Sequence, residues 1–192
     1  MTQINFSWKL FEFHLKFLII YQKKVMTEEE DIHYDLGEIK FMDPPEGLKA
    51  QEIFHVEKSE NRNRVYYEVL YSEANPEVPV DLRVYWIEGE HNNKIVGINW
   101  IEKKLSYGIC DLKKTENKIT FKMASMKHLL IEVFYKDGKF VAVTTLNGTP
   151  SILKLVYVSV TTIILIKPVI HYVRASGSVL ETGEPINEKF LP

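Results

Sequence analysis

Two dipeptides that favour tight turns, Asp137-Gly138 and Asn147-Gly148, most constrain what this chain can fold into. They separate three strongly apolar segments, 129–135, 140–146 and 152–158. Asp-Gly and Asn-Gly favour the two-residue turn of a β-hairpin, because both turn positions need a positive φ and glycine adopts it without steric cost. The two dipeptides therefore predict three consecutive antiparallel strands.

Other segments alternate apolar and polar residues, as half-buried β-strands do. They are residues 53–56, 64–71, 81–87, 118–123 and 169–174, of which the last is predicted to be the final strand. Asn75-Pro76 and Pro79 predict a break before Asp81, because proline cannot donate to a strand ladder. Near the C-terminus, Thr182-Gly183-Glu184-Pro185 predicts a turn.

The segment 94–108 is the least strand-like part of the domain. Its large aliphatic residues are three or four positions apart: Ile95, Ile98, Ile101 and Leu105. This spacing predicts a short amphipathic helix that ends before Gly108, although the first half is equally consistent with a strand. Many short strands and one helix predict an all-β fold, either an antiparallel β-sandwich or a partly closed β-barrel.

We predict that residues 1–50 are an N-terminal extension, flexible or partly helical, and that residues 51–192 are the antiparallel β domain. Within 1–50, four aromatic or aliphatic residues recur at helical spacing, and a turn-rich stretch at 43–47 contains two adjacent prolines. The apolar segments 17–20 and 155–166 are both shorter than the roughly 20 residues of a membrane-spanning helix. We expect no membrane span, and we interpret 155–166 as buried strand.

Charge and cysteine content exclude several classes of protein. The 24 basic and 26 acidic residues give a net charge of -2, so no strong basic field attracts nucleic acid. Cys110 is the only cysteine, which excludes an intrachain disulfide and a Cys-rich zinc site and fits a reducing compartment. The six histidines are scattered singly. We therefore predict a cytoplasmic, soluble protein with no metal and no cofactor.

Several segments together resemble an uncharacterised protein family, domain of unknown function 4833. The segments that carry the resemblance are 53–59, 61–63, 84–87, 101–108, 137–139, 147–148 and 182–185. They cover the chain from about Ile53 to its end, and the block from Glu102 to Gly108 is the most specific. The resemblance implies an antiparallel β domain, and it implies neither an activity nor any catalytic residue.

Two groups of charged residues are candidates for a functional site. In the first, Glu102 and Lys103 precede Tyr107; a desolvated lysine can act as a base or nucleophile, and a tyrosine as a general acid. Such a group at the end of a sheet can also bind an anion. The second group is His55, Glu57 and Lys58, near Arg62 in the sequence. The commoner interpretations are a solvated helix face for the first and a charged strand end or rim for the second.

Aromatic residues form 12% of the chain, and those in the strands, including Trp86, either line a ligand cavity or pack the core. We interpret the chain as a non-enzymatic β domain that binds a small molecule or a protein partner. The candidate ligand-binding residues are Glu102, Lys103, Tyr107, His55 and Trp86. One alternative is an enzyme whose rim site is built around Glu102, Lys103 and Tyr107, with His55 and Glu57. Another is a module that pairs an exposed edge strand with a partner.

Overall fold

The computed structural model describes residues 37–163 and 167–192, which are mostly β-strand. The strands are β1 (Lys49–Lys58), β2 (Arg64–Ser72), β3 (Asn75–Glu88), β4 (Lys94–Gly97), β5 (Ile109–Lys114), β6 (Lys118–Met123), β7 (Met126–Lys136), β8 (Lys139–Leu146), β9 (Thr149–Ile163), β10 (Lys167–Val179) and β11 (Pro185–Phe190). Within these residues, one helix, α1 (Trp100–Leu105), separates β4 from β5, and one 3-10 turn, Gly89–His91, precedes β4. The predicted all-β fold with one short helix is confirmed.

The strands form a curled, open half-barrel. Their order is β4-β3-β2-β1-β9-β8-β7-β6-β5, while β10 pairs with β9 and β11 pairs with β10. Neighbours are antiparallel except β1 and β9, which are parallel at His55–Lys58 and Leu155–Val158. One edge of β9 pairs first with β8 and then with β1, and the other edge pairs with β10. The sheet therefore branches at β9.

A glutamine side chain bridges β1 and β8 where they diverge from β9. Gln51 Nε2 donates to the carbonyl oxygen of Phe140 at 2.8 Å, and Gln51 Oε1 accepts from the Phe140 amide at 2.9 Å. The Gln51 side chain thus satisfies the amide and the carbonyl oxygen of Phe140, which in a continuous sheet would pair with the backbone of a neighbouring strand.

Both predicted hairpin turns are confirmed. Asp137 and Gly138 have φ values of 49° and 86°, and Asn147 and Gly148 have values of 46° and 76°. These are the two consecutive positive φ values of the predicted turn type. They join β7 to β8 and β8 to β9, so the three strands predicted from the dipeptides are adjacent in the sheet.

The concave side of the sheet holds the main hydrophobic core. The rings of Phe54 and Tyr67 stack with centroids 4.3 Å apart, and Phe121 from the other arm of the sheet lies 6.5 Å and 6.3 Å from them. All three residues are buried. Because aromatic and aliphatic side chains occupy this interior, the core stabilises the curl of the sheet.

The predicted break before Asp81 is wrong, because β3 begins at Asn75 and includes Pro76 and Pro79. Tyr71 pairs with Pro79 at a register shift. On its other side β3 pairs with β4 only from Tyr85 to Glu88. The prolines thus lie where β3 is an edge strand within the described residues, and edge strands are where sheets accommodate proline.

The prediction that the strand at 169–174 is the last one is also wrong. β10 continues to Val179, and β11 pairs with its residues Val173–Ser178. In β11 exposed and half-buried side chains alternate, but this pattern covers only six residues next to a turn. The sequence of this region therefore indicates a turn. Strand β5 is also missing from the sequence prediction. Its pairing with β6 shifts in register between Cys110 and Lys113, and Asp111 has a φ of 54°, so the regular alternation of a strand is interrupted there.

The predicted helix in 94–108 is confirmed in its second half, where α1 lies, and the first half is strand β4. Of the predicted buried strand at 155–166, β9 contains the part up to Ile163, and residues 164–166 lie outside the described residues.

The predicted N-terminal extension lies mostly outside the described residues, in 1–36. Its described part contacts the convex face of β2 and β3. Phe41 packs edge-on against Tyr66 with centroids 5.2 Å apart, and the Arg83 guanidinium donates to the carbonyl oxygens of Met42 and Asp43 at 2.6 Å and 2.7 Å. The domain boundary at residue 50 stays a prediction.

Candidate functional site

The helix α1 is fixed at its start by reciprocal hydrogen bonds. The Asn99 side chain accepts from the amides of Ile101 and Glu102, each at 3.0 Å, and the Glu102 carboxylate accepts from the Asn99 amide at 3.0 Å. This capping box satisfies donors that a helix start leaves without an intrahelical partner. Because α1 has only six residues, such local bonds hold much of its structure.

The chain turns tightly after α1, and this turn needs a glycine at position 108. A Cβ atom added to Gly108 would lie 1.8 Å from the carbonyl oxygen of Lys103, far closer than van der Waals contact. Just before it, the Tyr107 carbonyl oxygen accepts from the Tyr67 hydroxyl at 2.7 Å. The turn thus holds Tyr107 against the concave side of the sheet.

Four side chains meet at the rim of the half-barrel: Lys58, Trp86, Glu102 and Tyr107, which we call the rim cluster. The Trp86 indole N–H donates to Glu102 Oε2 at 3.2 Å, and the Tyr107 ring packs edge-on against Trp86 at 4.9 Å between centroids. Lys58 Nζ lies 4.3 Å from the Trp86 ring centroid and 5.8 Å from that of Tyr107. The cluster combines one cation, one carboxylate and two aromatic rings.

The surroundings of the rim cluster shift the pKa values of two of its members. Burial lowers the pKa of Lys58, and the negative charges of Glu102 and Glu60 partly oppose this shift. Burial and the charge of Glu102 raise the pKa of Tyr107 to about 12. At neutral pH Tyr107 is therefore a neutral phenol that can donate a hydrogen bond, and Lys58 is a partly desolvated ammonium.

Of the residues selected from the sequence, the structure brings Trp86, Glu102 and Tyr107 together and leaves Lys103 and His55 elsewhere. Lys103 is exposed on α1. His55 is on the convex face, where its ring lies 5.4 Å from that of Tyr66. Successive residues of a strand point to opposite faces, so His55 and Glu57 cannot join Lys58. The side chains named in the enzyme interpretation therefore do not all lie together at the rim.

His55 belongs to a separate charged network on the convex face. Its Nδ1 lies 2.8 Å from Glu52 Oε1 and its Nε2 lies 3.4 Å from Glu57 Oε1, and Glu57 also pairs with Arg64 at 2.6 Å. Burial by itself lowers the pKa of His55, but the hydrogen bonds to Glu52 and Glu57 outweigh burial and raise it. A histidine between two carboxylates is held in place as a charged donor, which suits a structural role.

Lys58 is the cluster member that the sequence does not group with Glu102 and Tyr107. It belongs to the second candidate group, with His55 and Glu57, which the sequence indicates to be a charged strand end or rim. The buried residues Phe54 and Val56 precede it at two-residue intervals, and this alternation puts Lys58 on the concave face. The periodicity of β1 was therefore a usable signal for its position.

An open cleft with a volume of about 580 Å³ is lined by residues of β3, β7 and the turn before β6. Its lining includes Glu77, Glu116, Asn117, Phe134 and Tyr135, and none of these belongs to the rim cluster. The cleft is open and largely polar, so it differs from the closed apolar cavity that encloses a ligand in small barrels. Among residues 37–163 and 167–192, no group of three or more His, Cys, Asp or Glu side chains is arranged so that it could hold a metal ion.

The fold and the rim cluster define an all-β half-barrel domain with one capped helix at its rim. The chain belongs to the family described as domain of unknown function (DUF4833), whose model matches residues 54–189. The resemblance seen in the sequence is thereby confirmed. A search of the curated proteins found no match, and a search of the solved structures found none either. Within the described part of the chain, no helix is long and apolar enough to cross a membrane.

Proposed function

We propose that this protein is a non-enzymatic β domain that binds a small anionic molecule at the rim cluster. The observation that carries the proposal is the position of the Lys58 ammonium on the Trp86 ring. Lysine over an aromatic face presents a point charge next to a flat apolar surface. A small organic anion matches both features, with its carboxylate or phosphate on Lys58 and its apolar part against the rings.

The environment of Lys58 supports an anionic ligand. Lys58 is partly buried, and among the described residues no carboxylate oxygen lies within 4.0 Å of its ammonium. Glu102 is nearby, but its carboxylate oxygen Oε2 already accepts from Trp86 and from the Asn99 amide. A desolvated ammonium without a direct ion pair gains stability when an anion binds.

Two other interpretations have less support from the geometry. The enzyme interpretation is built around Glu102, Lys103 and Tyr107; Glu102 and Tyr107 belong to the rim cluster, whereas Lys103 is exposed on α1. The edge-strand interpretation needs a regular exposed strand. β5 carries a register shift and β4 has only four residues, and bulged and very short edges discourage pairing with another chain. β11 is a regular edge that pairs only with β10 among the described residues, but nothing in the geometry indicates which chain would pair with it.

The proposal is tested by titrating the protein with benzoate, acetate and inorganic phosphate while recording the NMR signal of the Trp86 indole N–H. We expect at least one of these anions to shift the signal saturably in the wild type. Lys58→Met keeps the length of the side chain and removes the charge, so it should abolish the saturable shift. Lys139→Met changes an exposed lysine on β8 and should leave the shift intact.

The pH dependence of binding provides a second readout. Because the anion binds to the protonated form of Lys58, affinity should fall as the pH rises through the pKa of Lys58, and this dependence should be absent in Lys58→Met. Saturable binding that is equal in Lys58→Met and the wild type would overturn the proposal. A failure of all three anions to shift the indole signal would do the same.

A further inference from the structure

The outward side of α1 is an apolar surface that the fold leaves in water. Trp100, Ile101 and Leu105 are 73%, 48% and 64% exposed, and no residue of the helix is buried. At 3.6 residues per turn, these three residues and Lys104 fall within about 140° of the helix circumference. Lys103 lies on the adjoining flank. We call the surface formed by these five residues the α1 face.

The α1 face is held rigidly on the domain. Glu102 points the other way, to Trp86, and its carbonyl oxygen accepts from the amides of Ser106 and Tyr107, each at 2.9 Å. The Ser106 carbonyl oxygen then accepts from the Ser125 amide at 3.0 Å, which ties the end of the helix to the turn between β6 and β7. A surface that is already ordered loses little conformational entropy when a partner binds.

The charge of the α1 face indicates the chemistry of the partner. Lys103 and Lys104 are both exposed, and in the described part of the chain neither forms an ion pair. The acidic residue of the helix, Glu102, faces inward. The α1 face is therefore apolar and positively charged, although the whole chain has a net charge of -2. A complementary surface carries apolar side chains flanked by carboxylates.

We infer that the α1 face is a docking site for an acidic segment of a partner protein that inserts apolar side chains between Trp100 and Leu105. The exposed tryptophan supplies the kind of anchor that dominates protein interfaces. Lys103 and Lys104 would pair with aspartate or glutamate at the edge of the contact. This site does not include Lys58 and is independent of anion binding at the rim cluster.

An anionic membrane surface is a less suitable occupant. Stable attachment to anionic lipid generally uses a cluster of about four to eight basic residues, and the α1 face has two lysines. A net negative chain is also repelled from such a surface. The helix has only six residues, so it buries a small area compared with membrane-surface helices.

The experiment is selection of binders from a displayed library of random peptides on the full-length wild-type protein, followed by fluorescence anisotropy with the selected peptides. We expect the selected peptides to be enriched in Asp and Glu together with Leu and aromatic residues. The double variant Trp100→Ser/Leu105→Ser should bind them at least about thirtyfold more weakly, as expected when interface anchors are truncated. Lys103→Glu/Lys104→Glu should weaken binding and reverse the sign of its salt dependence, because added salt then screens a repulsion between like charges.

The control Leu130→Ser changes a 47% exposed leucine on β7 and should keep wild-type affinity. Lys58→Met should also keep it, which separates this inference from the proposed anion site. The inference is overturned if the selected peptides show no acidic bias, or if they bind the Trp100→Ser/Leu105→Ser variant as well as they bind the wild type. Two other results would also overturn it. One is binding to phosphatidylcholine vesicles with about 30% phosphatidylserine but to no peptide. The other is self-association of the wild type through this face.

Discussion

Replacing Glu102 by alanine should destabilise the domain more than replacing any of the exposed residues of α1. The indole N–H of Trp86, a residue only 7% exposed, would lose its acceptor, and a buried donor without a partner costs about 1–3 kcal/mol. The capping bond to the Asn99 amide would be lost as well, which adds about 0.5 kcal/mol. We therefore expect Glu102→Ala to lower the free energy of unfolding by about 2–3 kcal/mol.

Two further variants isolate the cause. Glu102→Gln keeps an oxygen acceptor and removes the charge, so it should cost about 1 kcal/mol. Lys103→Ala changes the next, exposed residue of the helix and should stay within about 0.5 kcal/mol of the wild type. Urea denaturation of the three variants measures these differences. In thermal unfolding, Glu102→Ala should lower Tm by roughly 5–10 °C. A difference below about 0.5 kcal/mol between Glu102→Ala and Lys103→Ala would refute the reasoning.

Two other predictions concern the sheet. Gln51→Leu would leave both backbone groups of Phe140 without their side-chain partners, so urea denaturation should show a loss of about 2–4 kcal/mol; a loss below 1 kcal/mol would mean that water replaces both bonds. The raised pKa of His55 makes its contribution to stability complete below its unfolded value of 6.5 and lost as the pH rises through the folded pKa. The stability difference between the wild type and His55→Gln should therefore shrink as the pH rises from 6.5 through the raised folded pKa of His55, and a difference that stays constant with pH contradicts this assignment.

Much of the fold could be predicted because its signals are local. The two glycine turns, the alternation in β2 and β6, and the helical spacing before Gly108 each involve residues close together in the chain. Such signals depend on backbone sterics and side-chain periodicity, which act over a few residues. The prediction of the strand boundaries was wrong where the conformational preference of a residue conflicted with its position in the sheet. Pro76 and Pro79 predicted a break, yet an edge strand accommodates both.

The candidate site was only partly predictable for a related reason. Glu102 and Tyr107 are close in the sequence, so one pattern selected both of them. Lys58 and Trp86 come from β1 and β3, and no local pattern shows that they meet at α1. His55 is only three residues from Lys58, and the alternation of the strand nevertheless places it on the opposite face.

The amino-acid sequence by itself determined most of the strands, the two hairpin turns and the position of the short helix, because these depend on backbone geometry and on contacts between near neighbours. Only the tertiary structure decided that β1 pairs in parallel with β9, that Gln51 bridges to Phe140, and that Lys58 lies on Trp86. These contacts join residues up to about one hundred positions apart. Closing such long loops has an entropic cost, and only the burial of the whole core offsets it.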